Sequence, residues 1–424
     1  MIAVGALAIR VAYNLVVDPA VAVLSDASAY HQLGRNLADG RGYIRPFDFQ
    51  LFGVHRATAE YPPLFPALLA FLTLIGLGSV NNQQLVLTVV GTATVVLTGL
   101  IGRRVAGDTA GLVAAGIAAI HPMLFQADGI LMTESLSTAL VAGCVLLALR
   151  VRSRPGVGGF VALGALLGIT TLCRAEGFLL APLLIVPLAF VPRGRPFAQR
   201  ITLAAAGLVA VVGVLTPWTV YNETRFHTFI PVSNNLGTVL DGANCGPTYS
   251  GPALGSWRFI RAGDCFAGFD IRDPHFDEAT AAAAARRQGI DYFRAHKRRA
   301  PAVAAARLAR TWGVFRPSQQ VNLGVLEGRN HRWETAGTWL TWLLLPLAVA
   351  GAVLLARRRA TLWPLLAPIV TVSIVSIVTY GNPRFRASAD PMLCVLAAVT
   401  VASIAAAAST MRATSAGARN LTPP

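Results

Sequence analysis

The feature that most constrains the fold is a series of eleven apolar runs that follow one another along most of the chain. A helix needs about 20 mainly apolar residues to cross the hydrocarbon core of a bilayer, and most of the runs approach that length. The runs cover residues 1–17, 63–77, 85–101, 110–125, 135–149, 157–172, 178–191, 201–221, 338–356, 362–380 and 387–408. Hydrophobic residues make up 54% of the chain and charged residues only 13%, which departs from the usage of soluble domains. The sequence therefore predicts an all-α integral membrane protein with about 10–11 membrane helices.

The positive charge of the chain orders these runs across the membrane. The formal net charge is +16, almost wholly from arginine, because Lys297 is the only lysine. A nucleic-acid-binding protein is one explanation of such a charge. However, the arginines form short clusters between apolar runs without interleaved aromatics, which is typical of membrane topology signals. The clusters at residues 103–104, 150–154, 193–195 and 357–359 are therefore predicted to be cytoplasmic.

One run, residues 63–77, breaks the alternation that the arginine clusters set. If Arg103 lies inside, this run must begin and end on the outer side of the membrane. We therefore predict a short re-entrant or interfacial helix there, introduced by Pro62 and Pro63. The alternative, a true span, would place Arg103 outside. The preferred order gives about ten spans with both termini in the cytoplasm.

The soluble parts divide the chain into segments. Residues 1–221 are predicted to form a membrane part that includes a first external loop over residues 18–62 with interfacial helices. Residues 222–334 form a large, mostly helical external loop, residues 335–410 are C-terminal membrane helices, and residues 411–424 are a disordered cytoplasmic tail. Ser25 is predicted to cap a helix over residues 26–38 of the first external loop, and Asp277 is predicted to cap a helix in the large external loop. Cys245 and Cys265 share the external loop and are predicted to pair, whereas the other three cysteines lie in or beside apolar runs.

Polar residues crowd five stretches that this topology places on the outer face. Ionisable groups at membrane depth are expensive and usually functional. The stretches are residues 26–30, 60–63, 121–134, 174–176 and 382–386. A carboxylate there could take a proton from an acceptor hydroxyl, and arginines could hold a phosphate of a lipid-linked sugar. Within these stretches, Asp128 is predicted to be a surface loop residue and His121 to be structural.

Four of these stretches carry a resemblance to a known family. SDASAYHQLGRNLADGRGY followed by EYPPLFP resembles the first external loop of the GT-C glycosyltransferases. HPMLFQADGILMTESLSTAL, LCRAEGFLLAPLL and NPRFRASADPML continue the resemblance in the same order. It is nearest to the branch of protein O-mannosyltransferases and lipid A aminoarabinose transferases. The resemblance covers most of the membrane part but not the large external loop.

The resemblance implies roles for single residues. Asp26 matches the acidic residue that acts as catalytic base in the family, and Glu134 matches a second acidic position. Arg174, Arg384 and Arg386 match basic positions that can reach the donor phosphate. Glu60 and Tyr61 are candidate substrate-binding residues, with the alternative that they only shape the turn before the two prolines.

The resemblance also bears on cofactors and function. Asp26 is followed by Ala27 and not by a second carboxylate, so no metal site and no cofactor are expected, with a divalent metal as the open alternative. The implied activity is transfer of a sugar from a polyprenyl-phosphate donor to an unknown acceptor at the outer face of the cell membrane, with no nucleic-acid partner. A transporter or lipid flippase, and an enzyme like the O-antigen ligases, are the alternatives. A transporter should show paired halves with broken helices, and no such pairing is found.

Overall fold

The computed structural model describes residues 1–17, 21, 25–191, 194–258, 265–266 and 276–419, with side chains described up to residue 410. In chain order the α-helices of these residues are α1 (Ile2–Val17), α2 (Asp26–Ala38), α3 (Pro46–Phe52), α4 (Leu64–Leu74), α5 (Val80–Ala106), α6 (Asp108–Ile120), α7 (Pro122–Gly129), α8 (Glu134–Ser153), α9 (Val157–Cys173), α10 (Gly177–Phe190), α11 (Phe197–Phe226), α12 (Leu236–Ala243), α13 (Gly246–Tyr249), α14 (Glu278–Ala295), α15 (Ala300–Thr311), α16 (Pro317–Leu326), α17 (His331–Arg357), α18 (Trp363–Val378) and α19 (Asp390–Arg419). Three 3₁₀ helices add Gly251–Ala253, Lys297–Arg299 and Pro383–Ser388.

The apolar helices occupy the positions of the apolar runs, so the predicted all-α membrane fold is confirmed. Within the described residues, five helices are long and apolar enough to cross a membrane: α5, α8, α11, α17 and α19. The pair α6 and α7 forms a sixth candidate span, bent by 52° at its break. The shorter apolar helices are α1, α4, α9, α10 and α18. The chain is thus a multi-pass membrane protein.

Helix α4 is the segment that the sequence assigns to a re-entrant or interfacial position. It has 11 residues, which gives about 16 Å of helix, roughly half the hydrocarbon thickness of a bilayer. It packs against α2, where a Cβ atom at Gly34 would lie 2.7 Å from the Cβ of Leu69. Glycine at this position therefore lets the two short helices approach closely. This geometry agrees with the predicted re-entrant or interfacial helix.

Helix α2 begins where the sequence predicts. The side chain of Ser25 accepts a hydrogen bond from the backbone N–H of Ser28 at 3.3 Å, which confirms Ser25 as the N-cap. Gly40, with φ of 73°, follows the end of the helix. The buried face includes Ala27, Tyr30 and Leu33. Asp26 is therefore held at the first turn of a helix anchored on α4.

Asp128 is not a surface loop residue, and that prediction is wrong. It lies in α7 with 1% of its side chain exposed. Arg10 Nε donates to its Oδ2 at 2.8 Å, and Ser135 Oγ donates to its Oδ1 at 2.5 Å. A Cβ atom at Gly91 would lie 1.9 Å from Oδ2, so α5 can pass this carboxylate only with glycine there. The ion pair holds α1 against the bent α6–α7 segment, and His121 at the bend is fully buried.

Residues 222–334, the segment that the sequence predicts to be external and that we call the external segment, carry the predicted disulfide and contact the predicted first external loop. Cys245 and Cys265 are bonded, which confirms their pairing. Asp277 caps α14 as predicted, because its Oδ2 accepts from the N–H of Thr280 at 2.8 Å. Glu278, the next residue, accepts four hydrogen bonds at 2.7 to 2.9 Å. The donors are Arg45 Nη1, Thr58 Oγ1, the backbone N–H of Ala59 and Asn234 Nδ2.

Part of the predicted segment division lies outside the described residues. This applies to residues 18–20 and 22–24 of the first external loop, to Arg193 of one arginine cluster, and to residues 420–424 of the tail. Helix α19 extends to Arg419. The backbone is therefore helical over residues 411–419, where the sequence predicts disorder.

Candidate active site

Five separate stretches of the chain bring four charged side chains and one tyrosine to one place. Asp26 comes from the first turn of α2, Glu134 from the first residue of α8, and Arg174 from the link between α9 and α10. Arg384 comes from the 3₁₀ helix Pro383–Ser388, and Tyr61 from the segment before α4. We call Asp26, Glu134, Arg174 and Arg384 the charged cluster. Helix ends position all four, so their side chains converge without a continuous loop.

Arg384 is the centre of the charged cluster. Its Nη2 lies 3.0 Å from Asp26 Oδ2, its Nε lies 2.6 Å from Glu134 Oε1, and its Nη1 lies 3.4 Å from Glu327 Oε1. Burial alone would lower the pKa of Arg384, but Glu134, Glu327 and Asp26 raise it well above its ordinary value. The guanidinium therefore stays charged and connects three carboxylates.

Arg174 approaches Glu134 from the other side. Its Nη1 lies 3.2 Å from Glu134 Oε1, the same oxygen that Arg384 contacts. Its Nη2 and Nε lie 2.7 and 3.1 Å from Glu176 Oε1. Only 2% of the Glu134 side chain is exposed. This buried carboxylate therefore holds two guanidinium groups side by side.

Asp26 is the cluster's most accessible charged group. Its side chain is 38% exposed, against 12% for Arg384 and 15% for Arg174. Tyr61 donates its hydroxyl to Asp26 Oδ1 at 3.1 Å, while Arg384 holds Oδ2. Burial first and Asp26 second raise the pKa of Tyr61 well above its ordinary value, so the phenol keeps its proton. The Asp26 carboxylate is therefore oriented by two donors and remains open to solvent.

An apolar groove ends at the charged cluster. It is formed by α8, α9, α10, α18 and the 3₁₀ helix Pro383–Ser388. Its lining residues are Ser137, Val141, Thr170, Arg174, Glu176, Gly177, Leu180, Pro368, Thr371, Val372, Val375, Phe385 and Ser388. Arg174 and Glu176 are its charged members, and the remainder is mainly apolar with four serine or threonine hydroxyls. The groove thus leads from membrane helices to a guanidinium.

Glu60 lies beside the charged cluster, among other acidic groups. Burial, followed by Glu278, raises the pKa of Glu60 to about 7, although Arg45 acts to lower it. A carboxyl whose pKa is higher in the folded than in the unfolded state stabilises the fold less as pH rises from about 4.5 to about 7. Among the described residues, Glu60 forms no hydrogen bond or ion pair with the charged cluster, and its predicted substrate-binding role stays a prediction.

We expect the variant Glu60→Gln to lose this pH dependence. The melting temperature of the variant minus that of the wild type should be larger at pH 8 than at pH 5. The reason is that the wild type must ionise Glu60 among carboxylates at the higher pH. Thermal unfolding of the detergent-solubilised chain at both values measures the difference. Asp39→Asn, which changes an exposed carboxylate, is the control. An equal difference in melting temperature at both pH values would contradict the raised pKa of Glu60.

Arg386 is not part of the charged cluster, and the structure corrects its predicted place at the donor phosphate. Its side chain is 1% exposed, and its Nε lies 2.7 Å from Asp390 Oδ1. Its other donors bond to Thr341 Oγ1 at 2.8 Å and to the carbonyl of Thr311 at 3.3 Å. These contacts join the 3₁₀ helix to α15, α17 and α19. Arg386 therefore fixes the position of the turn that carries Arg384.

Sequence reasoning missed two members of the site. Glu327, from the end of α16, contacts Arg384 Nη1 and accepts from Asn382 Nδ2 at 3.2 Å. Nothing in its local sequence distinguishes it from a surface glutamate of the external segment. Glu176 was seen only as part of a polar stretch, yet it is the main partner of Arg174. Among the described residues, no three His, Cys, Asp or Glu side chains are grouped to hold a metal ion, and the expected absence of a metal requirement stays a prediction.

Comparisons with known proteins place this geometry. The profile of the family described as dolichyl-phosphate-mannose-protein mannosyltransferase matches residues 60–221. The solved structure of the oligosaccharyltransferase from Archaeoglobus fulgidus in its apo form aligns with 97% of this chain and 52% of its own, at 13% identity and a TM-score of 0.54. The complex of the archaeal enzyme AglB from the same organism with an inhibitory peptide and a dolichol-phosphate aligns with 98% of this chain and 52% of its own, at 15% identity and a TM-score of 0.54.

This chain has the GT-C fold. The fold that the resemblance implies is thereby confirmed. The structure of ArnT from Cupriavidus metallidurans in the apo state also aligns, over 95% of this chain and 78% of its own, at 17% identity and a TM-score of 0.42. No curated protein matches the sequence. The chain spans about half the length of the archaeal oligosaccharyltransferases.

The family profile covers only part of the charged cluster. The family profile includes Glu60, Tyr61, Glu134 and Arg174 but ends at residue 221. Asp26 and Arg384 lie outside the matched residues. Their place in the charged cluster therefore rests on the geometry of this chain.

Proposed function

We propose that this GT-C protein is a glycosyltransferase that moves a sugar from a polyprenyl-phosphate donor to an acceptor hydroxyl on the extracytoplasmic face, with inversion. The observation that supports it most is the meeting of an apolar groove, two adjacent guanidiniums and one accessible carboxylate at the same helix ends. An isoprenoid chain, a phosphate and an acceptor hydroxyl need these three elements.

The donor would bind along the groove with its phosphate at Arg174 and Arg384. A guanidinium has five N–H donors, and each of these two arginines keeps at least one N–H beyond its contacts in the structure. Glu176 is 28% exposed and lies on the groove side of Arg174. A phosphate would replace Glu176 as the bidentate partner of Arg174. Both a carboxylate and a phosphate present two oxygens that can accept parallel N–H bonds from one guanidinium.

Asp26 would act as the general base. Each carboxylate oxygen has a second lone pair beyond the bond from Tyr61 or Arg384, so it can accept a proton from a hydroxyl. The acceptor oxygen then attacks the anomeric carbon, the bond from that carbon to the phosphate oxygen breaks, and the two guanidiniums stabilise the charge on the released lipid phosphate. One base and one leaving group complete the transfer in a single displacement. The configuration at the anomeric carbon inverts.

Glu134 would organise the phosphate site without touching the substrate. It is buried and holds one nitrogen of each arginine at the same oxygen. The guanidiniums therefore stay adjacent although they carry like charge. Groups arranged before the substrate arrives need no reorganisation during the reaction.

Three further observations support this proposal over a transporter or flippase. The charged cluster lies at helix ends, whereas transporters commonly bind their cargo at interrupted helices near the middle of the membrane. The archaeal AglB that shares the fold was solved with a dolichol-phosphate, a polyprenyl phosphate of the class proposed here. The family profile over residues 60–221 is named for a dolichyl-phosphate-mannose donor.

Transfer in proteoliposomes tests the proposal. The purified chain would be supplied with polyprenyl phosphates that carry labelled mannose or aminoarabinose, together with cell-envelope extract as acceptor. We expect labelled envelope product and released polyprenyl phosphate in equal amounts, and both should form about 10²–10⁴-fold more slowly in Asp26→Asn. Movement of intact donor across the bilayer without release of polyprenyl phosphate would contradict the proposal in favour of a flippase.

The extracytoplasmic position of the site predicts a labelling pattern along α5. Asn81 and Thr109 are exposed near opposite ends of this candidate span. The native cysteines give little background, because Cys144, Cys173 and Cys394 are buried and the other two are bonded. We expect an impermeant maleimide added to intact cells to label Asn81→Cys and to spare Thr109→Cys until the cells are opened. The reverse pattern would place the charged cluster in the cytoplasm.

A further inference from the structure

A buried arginine of the external segment has no acidic partner among the described residues. Arg310, in the last turn of α15, is 0% exposed. Its Nε and Nη2 donate to the carbonyls of Leu254 and Pro252 at 2.6 and 3.0 Å, and within the same residues its Nη1 has no hydrogen-bond partner. Burying a charge without a counterion is costly. Backbone carbonyls therefore take the place of a carboxylate beside this guanidinium.

A second guanidinium lies beside it. Arg316 Nη1 donates to the same Pro252 carbonyl at 2.8 Å, so the nitrogens of the two arginines lie within about 6 Å of each other. Both guanidiniums also lie 5.4 Å from the centre of the Phe315 ring. Arg316 is exposed, and so is Arg258, whose charge also reaches Arg310. We call these three residues the arginine patch.

The arginine patch carries charge that no described carboxylate balances. None of its members forms an ion pair within the part of the chain that the structure describes. Burial first, and then Arg316 and Arg258, lower the pKa of Arg310 to about 10, and no acidic group raises it. In contrast, Arg174 and Arg384 each contact at least two carboxylates. The patch thus differs from the charged cluster, whose arginines are paired with carboxylates.

The patch lies at the level of an aromatic belt. Trp333, Trp339 and Trp342, near the start of α17, are 42%, 66% and 40% exposed, as expected for tryptophans at a membrane interface. Trp342 Nε1 donates to the carbonyl of Gly313 at 3.1 Å. The next residue, Val314, is 62% exposed. The turn that ends in Arg316 is therefore held beside the interface, where lipid phosphates lie.

We propose that the arginine patch binds the phosphate of an anionic membrane lipid, a site additional to the charged cluster. Arg316 and Arg258 contact the phosphate, and Arg310 contributes its charge from beneath them. The exposed Val314 and Trp339 meet the acyl chains beside the headgroup. A lipid is favoured over a free phosphate because an apolar surface adjoins the three cations.

Native mass spectrometry of the full chain in detergent tests this. Phosphatidylglycerol, phosphatidylcholine or inorganic phosphate would be titrated into the wild type and into Arg258→Gln/Arg316→Gln, which changes exposed residues only. Each basic side chain near an anionic surface raises the affinity several-fold. The double variant should therefore bind phosphatidylglycerol at least tenfold more weakly. Arg286→Gln/Arg287→Gln, an equal charge change on exposed residues of α14, should bind like the wild type.

Two results would overturn the proposal. One is equal binding of phosphatidylglycerol by the wild type and the double variant. The other is displacement of the lipid by millimolar inorganic phosphate, which would assign the patch to a free anion. Phosphatidylcholine has no net charge, so its binding should be weak and the same in all three proteins. The catalytic arginines are intact in every variant, so lipid bound there cancels in the comparison.

Discussion

Asp26→Asn should transfer sugar about 10²–10⁴-fold more slowly than the wild type, the usual contribution of a general base. Asparagine keeps the shape of the side chain and can still accept from Tyr61, but its amide cannot take a proton from a hydroxyl. Donor binding should persist, because the guanidiniums of Arg174 and Arg384 are retained. Initial rates of transfer and binding of donor lipid are to be measured separately.

The control for Asp26→Asn is Asp39→Asn, directly after the same helix. Asp39 is 41% exposed, and Arg41 is its one ion-pair partner among the described residues, so its variant should keep the wild-type rate. Near-normal turnover by Asp26→Asn would show that the base lies elsewhere, and Glu134 would be the next carboxylate to examine. Loss of donor binding together with turnover would indicate that Asp26 shapes the site and does not act as its base.

Arg384→Gln should have the second large effect, on stability as well as on transfer. It leaves Glu134, 2% exposed, with Arg174 as its one remaining ion-pair partner in the charged cluster. Removing one partner of a buried ion pair typically costs about 3–5 kcal/mol, because the other charge stays buried. Transfer should fall in parallel, since a donor-phosphate contact is lost.

The double variant Arg384→Gln/Glu134→Gln should be more stable than Arg384→Gln alone. It also removes the Glu134 carboxylate, which Arg384→Gln alone leaves buried with one partner fewer. The effects of the two substitutions on stability are therefore not additive. Thermal unfolding of the wild type, both single variants and the double variant completes the cycle. Arg103→Gln, at an exposed pair with Asp108, should change stability by less than about 1 kcal/mol. A double variant that is the sum of the two single ones would contradict the coupling.

The membrane helices could be predicted from the sequence because hydropathy is a local signal. A run such as residues 201–221 needs no knowledge of its neighbours to be identified as a span. Capping signals are equally local, so Ser25 and Asp277 begin helices where the sequence predicts. The meeting of four predicted site residues followed from topology, which placed all of their stretches on one side.

The errors concern partners that the linear sequence does not show. Asp128 pairs with Arg10, 118 positions away, and nothing near either residue indicates the other. Glu327 reaches Arg384 from an external segment without a recognisable motif. Arg386 is different, because Asp390 follows it at the spacing of one helical turn. That local pair could have identified Arg386 as structural before any coordinates were known.

The proposed function depends most on one interaction, the binding of a polyprenyl phosphate by the guanidiniums beside the groove. Binding of polyprenyl phosphate itself tests it, because this product requires no knowledge of the sugar or the acceptor. Every protein in the test should carry Arg258→Gln/Arg316→Gln, so that lipid at the arginine patch does not contribute. Equilibrium binding is then compared with and without Asp26→Asn or Arg174→Ala. We expect Asp26→Asn to leave the affinity for polyprenyl phosphate unchanged. Arg174→Ala should bind it about 10–100-fold more weakly, because a charged hydrogen-bonded contact is lost. Equal affinity with and without Arg174→Ala would contradict the proposed phosphate site.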